Sequence, residues 1–190
     1  MATQNAFGLR WMGFSLSGAP IGVQSYGKPS SDATAIFMGD VLMKVASSVT
    51  NPAGGNPMPS CKTAVGNGTP GTGLWLGVSL NYGAASAATE QLVIDDPSAL
   101  FYAQCDDSAA ETIASKVGKN ANFVLTAGNA TTKQSQVVID HTTIATTSTR
   151  DVRIRQFVNN VGVNPDNAAY PIFEVEIVLH QFANKQTTGV

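Results

Sequence analysis

Charge is scarce in this chain. Charged residues fill 13% of its 190 positions, where about a quarter is usual. The 11 Lys and Arg against 13 Asp and Glu leave a formal charge of -2. A nucleic-acid binder needs a basic stripe that displaces counterions from phosphates. No Lys/Arg cluster occurs, so nucleic acid is not an expected partner. Histidine is limited to His141 and His180, too few for a His-rich metal site or a well-partnered triad. Cysteine is limited to Cys61 and Cys105, without the C-x-x-C spacing of zinc or redox sites. Two reduced thiols are the expectation in a reducing compartment, with a single disulfide as the alternative. No run of 18 apolar residues occurs, which excludes a spanning helix. Arg10 interrupts the apolar stretch that a secretory signal would need. The expectation is a soluble chain made in a cytoplasm, with no membrane partner.

Catalytic motifs are also missing. Gly66-Asn67-Gly68-Thr69-Pro70-Gly71 matches the letters of a dinucleotide fingerprint, but that motif must follow a strand and open a helix. Here Pro70, Gly71 and Gly73 lead towards a strand. Asp95-Asp96 and Asp106-Asp107 would supply carboxylates for acid/base work, yet adjacent strand residues face opposite ways, and turn formation explains both pairs better. Asn67-Gly68-Thr69 and Asn129-Ala130-Thr131 are glycosylation sequons by letter only, given the expected compartment. The chain is expected not to be an enzyme and to carry no cofactor or metal.

What is present is β-strand patterning. Residues 1–31 interleave Phe7, Leu9, Trp11, Phe14 and Leu16 with Gly8, Gly13, Gly18, Pro20 and Gly22, too much glycine for a helix. An extended N-terminal arm fits, with Phe7, Leu9 and Trp11 projecting from one side at spacing two. Phe7, Leu9, Trp11 and Phe14 are therefore the candidate contacts to a neighbouring subunit. The competing reading is that the arm folds back as an edge strand of its own domain.

Residues 32–190 are expected to form one β-barrel-like domain. Strand patterns cover 33–45 (with a bulge or turn at Gly39-Asp40), 74–80, 89–94, 100–104, 122–125, 136–139, 152–158 and 172–182. Between them, 20 of the 28 positions from 46 to 73 are Gly, Pro, Asn, Ser or Thr. That composition reads as a long loop excursion, or as a short hairpin with loose ends. Ser108 and Glu111 form a capping box for one short helix over 109–117, with Gly118 suited to its C-terminus. Val152 and Ile154 alternate with Arg153 and Arg155. Phe173, Val175 and Ile177 alternate with Glu174 and Glu176, so each strand buries one face. Eight or nine short strands with one helix give a mainly β fold, a compact barrel or sandwich.

Several segments resemble a family of tailed-bacteriophage head proteins, the capsid decoration or cement proteins. They are Asn5-Ala6-Phe7-Gly8-Leu9, Ala33-Thr34-Ala35-Ile36-Phe37-Met38-Gly39-Asp40, and Asp95-Asp96-Pro97 running into Phe101-Tyr102-Ala103-Gln104. The stretch from Thr143 to Ile154, the Asn164-Pro165-Asp166-Asn167 turn and the strand ending at His180 continue the likeness. Trp11-Met12-Gly13 and Cys105 depart from the family's pattern and affect the arm's contacts. The resemblance implies a structural virion protein on the outer capsid surface, assembled in a bacterial host's cytoplasm. Its implied partners are the major capsid protein and itself as a small homo-oligomer, a trimer with a dimer as the alternative. It implies no catalytic residue. The main alternative is a ring-forming tail-tube or other β-rich virion protein. A carbohydrate-binding module would need aromatic platforms, and Trp11 and Trp75 are the only tryptophans.

Overall fold

The computed structural model describes residues 6–15, 17–18, 21–50, 54, 57–107, 113–147, 150–158 and 169–183, the side chains of Phe14, Ser47 and Ile113 excepted. The strands are β1 (Arg10–Ser15), β2 (Gln24–Lys28), β3 (Val41–Thr50), β4 (Pro57–Thr63), β5 (Gly77–Ser79), β6 (Thr89–Ile94), β7 (Ala99–Gln104), β8 (Asn120–Ala121), β9 (Phe123–Val124), β10 (Val138–Ile139), β11 (Val152–Phe157) and β12 (Ile172–Ile177). A closed barrel runs in the order β2-β4-β3-β5-β6, and a five-stranded sheet in the order β1-β7-β12-β11-β8. β9 and β10 form a separate pair. The fold is mainly β, with a barrel, as the strand patterns led one to expect.

Period-two alternation explains how the two parts share a core. In β3, Leu42 joins Tyr26, Ile36, Cys61, Leu76 and Val93 in one buried cluster. Its neighbour Val41 belongs to a second, larger cluster with Trp75, Val78 and Ile94. Successive strand residues face opposite ways, so the first set fills the barrel and the second covers its outside. Onto that outer layer packs one face of the sheet, through Phe101, Ala103, Val152, Ile154, Phe173, Val175 and Ile177. Where a barrel segment is buried on both faces it reads as a near-continuous apolar run, as from Trp75 to Val78 around β5. In the sheet, β11 and β12 alternate apolar residues facing this core with polar ones.

Two buried carboxylates tie loops to this core. Asp151 accepts hydrogen bonds from Gly71 N–H (2.8 Å), the Trp75 indole N–H (2.9 Å) and Phe123 N–H (2.9 Å). Asp40 accepts from Phe37 N–H (2.9 Å) and the Thr63 hydroxyl (3.2 Å). Burial pushes both carboxyls above the ordinary Asp range, against the pull of these donors.

Several expectations need correction. Among the described residues the start of the chain does not form a free arm: residues 10–15 fold back as an edge strand of the domain, the competing reading, and residues 24–28 join the barrel. β1 pairs antiparallel with β7, through Arg10↔Tyr102 and Trp11↔Phe101, and β2 closes the barrel against β6. The glycine-rich composition hid a strand whose Gly27 lies under Val49, where an added Cβ would come within 2.8 Å. Of the two readings of residues 46–73, the described residues bear out the hairpin, which is longer than expected. β3 and β4 pair from Leu42↔Thr63 to Thr50↔Pro57, with a bulge between Val45 and Ser48. Ser, Thr and Pro obscured the length of this hairpin because they stand where apolar residues would mark a strand. The following glycines lie flat on Trp75, since a Cβ on Gly68 or Gly73 would meet its ring at 2.7 Å. The helix expected over 109–117 is a single 3-10 turn at Ile113–Lys116 within the described residues. Its capping residues Ser108 and Glu111 lie outside them. Gly118 does take a positive φ of 83° after it. Residues 33–40 form isolated bridges, Ile36↔Gly83 and Met38↔Gln134, before β3 begins. The Asn164-Pro165-Asp166-Asn167 turn lies outside the described residues. Cys61 and Cys105 are both buried and free, and they sit in different clusters.

Candidate functional site

β1 is an edge strand of the five-stranded sheet, and the chain entering it forms one wall of a groove of about 340 Å³. The wall begins with two close backbone approaches. Leu9 N–H donates to Gly39 O at 3.0 Å, and Gly39 N–H donates to Ser79 O at 2.8 Å. Gly8 has a φ of 71°, and a Cβ there would lie 2.4 Å from the Ser135 Cβ and 2.7 Å from Gly39 O. Only glycine fits that crossing. On the far side, Met38 N–H donates to Lys133 O and Ser135 N–H to Met38 O, which holds Met38 at the rim.

The candidate contact residues meet around this groove in different ways. Phe7, Leu9 and Trp11 all line it, together with Met38, Leu80 and Gln134. Leu9 is buried in the shared core, because the positive φ at Gly8 breaks the simple alternation expected of an extended arm. Trp11 is half-buried and packs on the same core. Its indole N–H is buried and has no hydrogen-bond partner among the described residues. Phe7 is half-buried under the Arg10 guanidinium, 4.8 Å from the ring centroid. Phe14 lies in β1, and its side chain falls outside what the structure describes. Met38, 43% exposed, and Leu80 were missed by sequence reasoning. Met38 belongs to a segment read as strand, and only the folded bridge to Gln134 turns it outward. Chemically the groove offers an apolar floor, one cation and one unused indole donor.

The titratable groups singled out in the sequence serve other local roles. Asp96 holds Ser98 through its N–H (2.7 Å) and hydroxyl (2.6 Å). Asp107 pairs with the buried Lys116. Asp106 accepts from both the backbone N–H and Nδ1 of His141, each at 2.9 Å, and this contact raises the His141 pKa. Asp140 caps the turn at Thr142. Asp106, Asp140 and His141 bring ligand-type atoms within 4.8 Å of one another, but each is already engaged in the turn that joins 105–107 to 139–143. His180 is buried and accepts from Phe182 N–H at 3.1 Å. Arg153 and Arg155 reach Glu176 at 3.8 and 3.6 Å, in keeping with the pairing Arg153↔Glu176 between β11 and β12. No helix among the described residues is long and apolar enough to cross a membrane. Comparison with protein-family models, curated proteins and solved structures found no match.

Proposed function

We propose that this protein is a capsid decoration protein of a tailed bacteriophage, which binds the outside of the shell formed by the major capsid protein and stabilises it. The observation that carries this reading is the groove beside β1. An apolar floor with a half-exposed methionine at its rim suits insertion of a neighbouring protein's side chains. Buried aromatic anchors dominate such interfaces. The low surface charge supports repeated docking on a lattice, where modest contacts are multiplied by avidity. The family resemblance supplies the shell as partner and a small homo-oligomer, with a trimer first, as the working unit.

The test mixes purified protein with shells that lack it. Met38→Asp places a charge at the exposed rim without touching the core. Occupancy is expected to fall at least about tenfold, because a buried unpaired charge at an interface opposes binding strongly, while the melting temperature stays put. Full occupancy of the variant, or location of the protein in the tail or inside the shell, overturns the proposal.

A further inference from the structure

The groove beside β1 carries a charge pattern as well as an apolar floor. Its lining includes one cation, Arg10, and no Asp or Glu. Arg10 is exposed, with its guanidinium 4.8 Å from the Phe7 ring centroid. A second cation flanks the opposite wall. Lys133 precedes Gln134 of that wall, its carbonyl accepts from Met38 N–H at 3.1 Å, and its ammonium sits 4.4 Å from the Tyr82 ring centroid. Tyr82 in turn packs on Phe37, with centroids 5.5 Å apart. Both charges are thus seated on aromatic faces, and neither has an ion pair among the described residues. Arg153, Arg155 and Lys116, by contrast, all reach carboxylates. In a chain of net charge -2, an acid-free groove between two such cations is a local reversal of sign.

We propose that this groove takes an acidic protein segment, which sets an apolar side chain on the floor and a carboxylate against Arg10. The inference rests on the reading of the groove as a docking site and names the chemistry of what docks there. A guanidinium presents paired donors that match the two oxygens of a carboxylate. An apolar side chain beside Met38 and Leu80 would displace water from the groove, and the pair attracts more strongly once water is excluded. Arg10 already rests on Phe7, so less side-chain ordering opposes the contact. Lys133 adds attraction of the same sign at longer range. A nucleic acid is the poorer occupant, because two separate cations do not follow a row of phosphates.

The test follows backbone amide NMR shifts of the isolated, full-length protein with two capped tetrapeptides, Ala-Leu-Glu-Ala and Ala-Leu-Gln-Ala. The two differ in little but the charge. The acidic peptide is expected to shift the amides of Arg10, Met38 and Gln134, with dissociation on the order of millimolar, and to bind at least about fivefold more tightly than its neutral partner. Raising the salt from about 50 to 500 mM should narrow that gap, and Arg10→Gln should nearly close it, with folding checked by thermal melts. On shells, Arg10→Glu should lower occupancy at least about tenfold. Equal binding of both peptides to the unaltered protein, or inorganic phosphate moving the same amides as strongly at equal ionic strength, would overturn the proposal. Full occupancy of Arg10→Glu on shells that reject Met38→Asp would overturn it too, while leaving the capsid reading in place. If the unaltered protein ignores shells yet selects the acidic peptide, the capsid reading falls and this one stands.

Discussion

Replacing Asp151 by alanine removes the acceptor of three buried N–H groups, at Gly71, Trp75 and Phe123. A buried donor left without a partner costs about 1–3 kcal/mol. Against that runs the relief of no longer burying a carboxylate, whose burden shows in its raised pKa. The net expected loss is about 3–5 kcal/mol, short of the full sum because water can reach part of the cavity. For a chain of this size each kcal/mol moves the midpoint about 2–4 °C, so Asp151→Ala should melt about 10 °C or more below the parent. Asp151→Asn keeps an oxygen for Gly71 and Trp75 but turns an amide donor towards Phe123 N–H, and should lose about half as much. Circular dichroism melts, with Trp75 fluorescence as a second probe, measure both. The native state holds the Asp151 proton more tightly than the unfolded chain. Its contribution is therefore fully present below the ordinary Asp pKa and lost as pH rises through the raised native value. Asp151→Asn should flatten that part of the stability-against-pH curve. An alanine variant within about 2 °C of the parent would refute the assignment of Asp151 as the tie between loop and core.

Other expectations follow from the same packing. Arg153 and Arg155 flank a Glu176 side chain that is only 5% exposed. Swapping both to Gln should cost about 1–3 kcal/mol by chemical denaturation, more than the near-zero effect of an exposed pair, whereas Arg155→Gln alone, at 40% exposure, should be nearly silent. Gly77→Ala would put a Cβ 2.0 Å from Ile94 O, so the variant should fail to accumulate as folded protein in a solubility assay. Burial pushes the Cys61 thiol up to about 12 and Cys105 up to about 11. Iodoacetamide at pH 8 should modify neither until denaturant is added, and mass spectrometry reads this directly.

The sequence spoke most clearly where apolar and polar residues alternate along a strand, even though Glu176 on the polar side is itself buried. Val152 and Ile154 against Arg153 and Arg155, and Phe173, Val175 and Ile177 against Glu174 and Glu176, fall on the faces that alternation assigns. β6 matched its pattern at residues 89–94. β2 was hidden because Gly27 contributes no side chain and Lys28 is a fully buried lysine, whose amine donates to Asp32 O at 2.8 Å. The extent of the β3–β4 hairpin was hidden because Ser60 and Thr63 occupy buried positions that apolar residues usually hold. The groove beside β1 is assembled from residues 7–11, 38–39, 79–80 and 134, separations that no local pattern links.

The neighbourhood of β1 and β7 has a consequence for the order of folding. The whole barrel, from β2 to β6, lies between two strands that are hydrogen-bonded partners. The chain leaves the sheet and returns to it at one place. In an unfolded chain, closing so long an excursion is opposed by loop entropy, which grows slowly with length but is never recovered by local contacts. Once the barrel has formed, its two ends stand close together and that opposition is largely gone. β1 is thus the strand expected to dock late, and, lying at the edge with β7 as its only strand partner among the described residues, to detach first. Slow hydrogen exchange should concentrate in β7 and β12 and be weakest along β1.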